Sequence, residues 1–208
     1  MKKLVLSFFL QVSMLLPAAL AHAEEPIRQC LPTFSEFKPL LGGWAEYLAR
    51  GAGGEIFRMR VSVVEKEGDD FWYETVVWAE GRMITKVLAS GDPNDEKNVK
   101  RMIVKYGEEP AREVPVADKK PASQKEEAPH DKKDKGSEEI RVLAGTFTTK
   151  HFQYRQGGKT TDTWENNCVS PYGLIRLMST DMEMVLLGYG TGARSLILEK
   201  KPAAGQTP

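Results

Sequence analysis

Residues 142–176 read VLAGTFTTKHFQYRQGGKTTDTWENNCVSPYGLIR. Thr, Phe and Tyr recur here without helical spacing, and these residue types suit a pleated, half-buried surface. Gly145 marks a break in a long strand. Gly157-Gly158 is a hairpin turn, because paired glycines supply the positive φ angles that two-residue hairpins need. A second strand ends near Trp164, and Pro171-Tyr172-Gly173 turns the chain into a third. The stretch carries His151 and Cys168 but no catalytic signature. It points to an antiparallel all-β body.

Working outward towards the N-terminus, the same signal repeats. Gly42-Gly43 leads into a strand at Trp44–Leu48. From residue 55 the period is two: Phe57, Met59, Val61 and Val63 alternate with Arg58, Arg60 and Ser62, which is a strand with one wet face. Residues 71–79, FWYETVVWA, carry Phe71 and Tyr73 on one parity and Trp72 and Trp78 on the other, so this strand needs cover on both sides. Further strands follow at 82–90 and 98–106, then at 139 onward, 182–189 and 193–199. Short strands joined by tight turns form an antiparallel meander, not a βαβ series. Residues 33–41, TFSEFKPLL, are the one clear helical candidate, and Pro39 limits its length.

Two stretches differ in kind. Residues 1–23 have a basic start at Lys2-Lys3, an apolar run at 4–16 and Ala21-His22-Ala23, the plan of a cleaved secretory signal. The mature chain is then expected to begin at Glu24 in the periplasm, with no transmembrane segment. Residues 108–138 lack aromatics and are dense in Lys, Glu, Asp and Pro, so they read as a disordered charged insertion. The single β domain is therefore expected as two halves, 24–107 and 139–200, with a disordered tail at 201–208.

The two cysteines of an exported chain imply one disulfide, Cys30–Cys168. Closing so long a loop contributes about 4–5 kcal/mol in the loop-entropy model. Lys plus Arg equals Asp plus Glu, 29 against 29, so no global basic field exists for nucleic acid.

Candidate chemistry is sparse. There is no P-loop, G-x-S-x-G or H-E-x-x-H. The glycines of Gly188–Ala193 lack the βαβ context of a dinucleotide loop. Asp92, Asn94, Asp95 and Glu96 lack the E-F-hand pattern and suit a turn. A nucleophile–base pair of Cys168 and His151 is a distant third reading, set against Cys168 in a disulfide and His151 on a strand face. No enzyme, cofactor or metal is expected.

What remains is surplus apolar surface on strands. Phe57, Met59, Val61, Trp72, Trp78 and Trp164 are the candidate lining of an interior, either open to an apolar ligand or filled as a core. Two function classes follow. One is a carrier or sensor holding a lipid or other apolar molecule. The other is a ligand-free envelope module that docks a protein partner.

The pieces G-x-W-x-E-Y (Gly42, Trp44, Glu46, Tyr47), A-G-T-F (Ala144 to Phe147), Trp164 and V-S-P-Y-G-L (Val169 to Leu174) resemble a group of exported bacterial proteins. That group in turn is similar to the LolA/LolB-like lipoprotein-carrier superfamily. The resemblance implies a mainly β fold: a curved antiparallel sheet, a half-open barrel with short helical cover over its mouth.

Overall fold

The computed structural model describes residues 39–116 and 131–197. They form one mainly β fold, an open, curved antiparallel sheet of eleven strands. The strands are β1 (Trp44–Gly51), β2 (Ile56–Glu67), β3 (Asp70–Trp78), β4 (Arg82–Ala89), β5 (Val99–Tyr106), β6 (Arg112–Val114), β7 (Asp131–Val142), β8 (Gly145–Gln156), β9 (Lys159–Glu165), β10 (Leu174–Ser179) and β11 (Met182–Gly190). Their spatial order is β6-β5-β4-β3-β2-β1-β11-β10-β9-β8-β7. Two sequential meanders are thus joined where β1 pairs with β11, and β6 and β7 form the two edges.

The sequence explains the turns. Gly157 and Gly158 both have positive φ, 56° and 78°, the mirror-image turn that follows strand twist. The glycine break expected inside one strand at Gly145 is instead the end of a hairpin. Val142 pairs with Gly145, and β7 folds back along β8.

The charged insertion expected at 108–138 is corrected at both of its described ends. Residues Arg112–Val114 pair with β5, and Asp131–Val142 is a full strand on β8. A composition that cannot build a core can still make an edge strand, because β8 supplies the hydrogen bonds. The lysines and acids of DKKDKGSEE then guard the unpaired side. The strand expected at 193–199 is also corrected. Residues 193–197 are not strand but cross one sheet face as a strap. The helical cover at 33–41 falls mostly outside the described residues, and Pro39–Leu41 are not helical. Among the described residues the one helical turn is the 3-10 segment Glu96–Asn98. No described helix is long and apolar enough to cross a membrane.

Direct cross-strand partners share a face, so register sorts the sheet. One face carries Tyr47, Met59, Val77 and Met83 in a row; we call it the tyrosine face. Ala45, Tyr47, Ala49, Val61, Leu186 and Met184 make its main core cluster. A second cluster, Val63, Tyr73 and Ala89, continues it. The loop 166–173, held by Asn166 N–H to the Gly173 carbonyl at 2.7 Å, sits over it. The Tyr47 hydroxyl donates to the Leu174 carbonyl at 3.2 Å. Close approach fixes Gly43, where an added Cβ would stand 2.5 Å from the Ser170 hydroxyl.

Candidate functional site

The opposite face carries Trp44, Trp72 and Trp78, while Trp164, reached through the irregular β10 register, packs into the main core cluster. Leu48 pairs with Arg58, and Arg58 with Trp78. On the other side Leu48 pairs with Val185, Val185 with Arg176, and Arg176 with Trp164. Trp44 and Trp72 have the same parity as Leu48 and Trp78 on their strands. Each ring lies under a guanidinium from this face: Arg60 over Trp44 at 4.3 Å, Arg101 over Trp72 at 5.1 Å, Arg58 over Trp78 at 5.0 Å and Arg176 over Trp164 at 5.5 Å. Such contacts contribute about 0.5–1 kcal/mol each where exposed. They also hold flat rings and long cations in register across neighbouring strands.

One half of this tryptophan face is closed. Trp72, Val76, Ile84, Leu88 and Ile103 form a cluster capped by Ile197 of the strap. Beneath the strap lies a polar row, Ser62, Glu74 and Lys86, paired strand to strand and buried. The Glu74 carboxylate accepts from the Ser195 hydroxyl at 2.7 Å and from the Leu196 N–H at 3.0 Å. A longer contact to the Ile197 N–H measures 3.4 Å. Lys86 reaches Glu65 at 3.1 Å and stands over Trp72 at 4.6 Å. Buried charges need such partners, and here they fasten the strap to the sheet.

The other half is open. Leu48, Arg50, Ile56, Glu183 and Val185 line a depression of about 170 Å³. A wider one of about 380 Å³ is lined by Leu48, Ile56, Phe57, Arg58 and Trp78. They share Leu48 and Ile56, which are 40% and 59% exposed, and so form one shallow apolar groove. Two of its charges are internally matched: Arg58 with Glu46 at 3.1 Å, and Glu183 with Arg176 at 3.0 Å.

The expected lining of a common interior is divided by this geometry. Phe57, Met59 and Val61 lie on the tyrosine face, where Val61 is core and the other two are partly buried against it. Trp72 and Trp78 lie on the opposite face, and Trp164 packs into the main core cluster. Strand alternation forces the split, since Trp78 is paired with Arg58 and not with Phe57 or Met59. Trp72 is sealed under the strap, and Trp164 is buried within the larger apolar cluster. Of the six, Trp78 and Phe57 border the groove, Trp78 from the tryptophan face and Phe57 from a strand position whose side chain packs on the other. Leu48, Arg50, Ile56 and Val185 were missed. One signal was present: Ile56 is an apolar residue on the Arg58–Arg60 parity, where alternation calls for a polar one.

His151 is held on both sides. Its Nδ1 is 3.0 Å from Glu138 and its Nε2 2.8 Å from Asp162. The ring stacks on Trp164 at 4.5 Å. Both nitrogens are engaged by carboxylates, which is a fastening of β7 and β9 to β8. The Cys168 N–H donates to Asn166 Oδ1 at 2.9 Å. Cys30 lies outside the described residues. The acids of the 92–96 loop cap turns: Asp92 accepts from the Asn94 N–H at 2.9 Å and Asp95 from the Lys97 N–H at 3.0 Å. Among the described residues no group of three His, Cys, Asp or Glu could hold a metal ion.

Burial raises the Tyr47 hydroxyl far above its ordinary range, with Tyr172 adding to it. Burial, and then Asp92, push Tyr73 up to about 12. Tyr172 is raised by burial and by Asp92, against a hydrogen bond from Asn94.

No protein-family model and no curated protein matches the chain. Two solved structures resemble it. One is described as an exported protein with a YmcC-like fold from Bacteroides fragilis, with TM-score 0.35 and 11% identity, over 75% of this chain and 99% of that one. The other is described as a lipoprotein from Parabacteroides distasonis, with TM-score 0.37 and 13% identity, over 75% and 99% of the two chains. Likeness at this level assigns no activity to the present chain.

Proposed function

We propose that the chain is an exported, non-enzymatic binding protein of the periplasm that holds a lipid or other apolar ligand. The binding surface in this proposal is the groove of Leu48, Ile56, Phe57, Trp78 and Val185, not an interior of the sheet. The observation that carries it is the exposure of Leu48 and Ile56 on a face whose other half is sealed by a strap. Apolar side chains gathered in a concavity with a few charges at its rim suit an amphiphile. The similarity to LolA/LolB-like carriers belongs to this proposal, with the site moved to the tryptophan face.

A second reading is a ligand-free envelope module docking a protein. The packed tyrosine face favours it, since Tyr47 and Val63 are at 1% and 0% exposure and fill the place an interior ligand would need. Native mass spectrometry of protein purified from the periplasm separates the two. A co-purified lipid, lost in Leu48→Glu, supports the carrier. A bare protein that fails to take up an added apolar fluorescent probe refutes it.

A further inference from the structure

We infer that the occupant of the groove is an anionic amphiphile whose headgroup is held by Arg50. This rests on the groove reading above and specifies its ligand. Three charged side chains line the groove: Arg50, Arg58 and Glu183. Arg58 has Glu46 and Glu183 has Arg176. Arg50 has no ion pair among the described residues. Its register neighbour Glu183 is the carboxylate already taken by Arg176.

That difference decides the ligand's charge. A molecule lying across Leu48 and Ile56 excludes water from the mouth of the groove, and Arg50 stands at that mouth. A neutral ligand would then desolvate an unpaired cation, which opposes binding. A phosphate or carboxylate group would instead complete the pair, and Arg presents a planar fork that matches such oxyanions. Position agrees with chemistry. Arg50 pairs with Ile56 and Leu48 with Arg58, so a headgroup on Arg50 leaves the tail to run over Leu48 towards Trp78. Trp78, under Arg58, closes that end. The ligand is thus an anionic amphiphile, polar at the β1–β11 side and apolar at the β2–β3 side.

Calorimetric titration tests this with three probes: dodecyl phosphate and dodecyl maltoside below their micelle concentrations, and inorganic phosphate. Dodecyl phosphate is expected to bind at least ~10-fold more tightly than the maltoside, a difference of about 1.4 kcal/mol. Arg50→Gln should remove that advantage while leaving maltoside binding unchanged, and Arg50→Lys should restore part of it. Equal binding of both detergents, insensitive to Arg50→Gln, overturns the inference and leaves the groove reading standing. Binding of neither detergent overturns both. Inorganic phosphate binding as tightly as dodecyl phosphate overturns the inference too, because the tail would then contribute nothing.

Discussion

Replacing Glu74 tests whether a buried carboxylate fastens the strap. Its Oε2 accepts from the Ser195 hydroxyl and the Leu196 N–H, and makes the longer Ile197 contact; its Oε1 accepts from Leu196 alone. Glu74→Gln keeps one oxygen, which can turn to the Oε2 position. It loses the charge and places an amide N–H₂ near a donor. Bonds to ionised acceptors contribute roughly 1.5–3 kcal/mol and neutral ones about 1 kcal/mol, so the loss is expected to be about 1–2 kcal/mol. Glu74→Leu removes every acceptor and strands the Leu196 N–H, at about 1–3 kcal/mol, while the Ile197 N–H keeps its bond to the Ser195 hydroxyl at 3.1 Å. It also leaves the buried Lys86, the direct cross-strand neighbour of Glu74, with less opposing charge. Leu should therefore cost more than Gln. Urea unfolding gives the totals, and amide exchange at residues 195–197 shows whether the strap loosens first. In a double-mutant cycle with Ile197→Ala, itself worth about 2–5 kcal/mol, the two losses should be less than additive, because each frees the same segment. If both Glu74 variants shift stability by under about 0.5 kcal/mol, or the cycle is strictly additive, the carboxylate does not hold the strap.

Stability should hold from neutral pH to about 10 and then fall. The unfolded tyrosine ionises near its ordinary value of 10.0, while folded Tyr73 stays protonated to about 12; each such tyrosine costs about 1.4 kcal/mol per pH unit in that window. Tyr73→Phe should flatten that limb of a urea-midpoint profile, and an unchanged slope would refute the assignment. Cys30 and Cys168 should appear as one cross-linked peptide pair in non-reducing mapping of the exported protein; two alkylatable thiols would refute the bridge. Replacing residues 117–130 by a Gly/Ser linker of equal length should leave the thermal midpoint nearly unchanged. Replacing Asp131–Val142 in the same way should destabilise the fold by removing a strand that pairs with β8, and equal midpoints for the two would refute that role. Ile56→Ser should change the free energy of urea unfolding by less than about 0.5 kcal/mol, since Ile56 is 59% exposed, while weakening uptake of an apolar probe; unchanged uptake would count against the groove.

Fold class was legible because alternation is a local property. Phe57, Met59, Val61 and Val63 declare a two-residue period whatever they pair with, and the Gly157-Gly158 turn dictates a hairpin from two residues alone. The pairing of β1 with β11 was not legible, because it joins residues such as Ala45 and Tyr189 across most of the chain and no local pattern encodes it. The same limit explains the misplaced interior. Parity within β3 separates Trp72 and Trp78 from Phe71 and Tyr73, but it does not say which pair shares a face with Phe57. That depends on the register Arg58 to Trp78, fixed jointly by the turn at Gly68 and by the irregularity between Val63 and Glu65. A bulge of one residue reverses which side chains meet beyond it. Composition misled at β7 for a different reason. Lys132, Lys133, Asp134 and Lys135 are poor core residues, yet an edge strand needs no core on its open side and is safer with charge there. The groove follows from the same alternation rule where it is broken, at Ile56 on β2 and at Leu48 between Glu46 and Arg50 on β1. Both side chains are exposed on a parity that also carries charged residues of both signs, among them Glu46, Arg50 and Arg58.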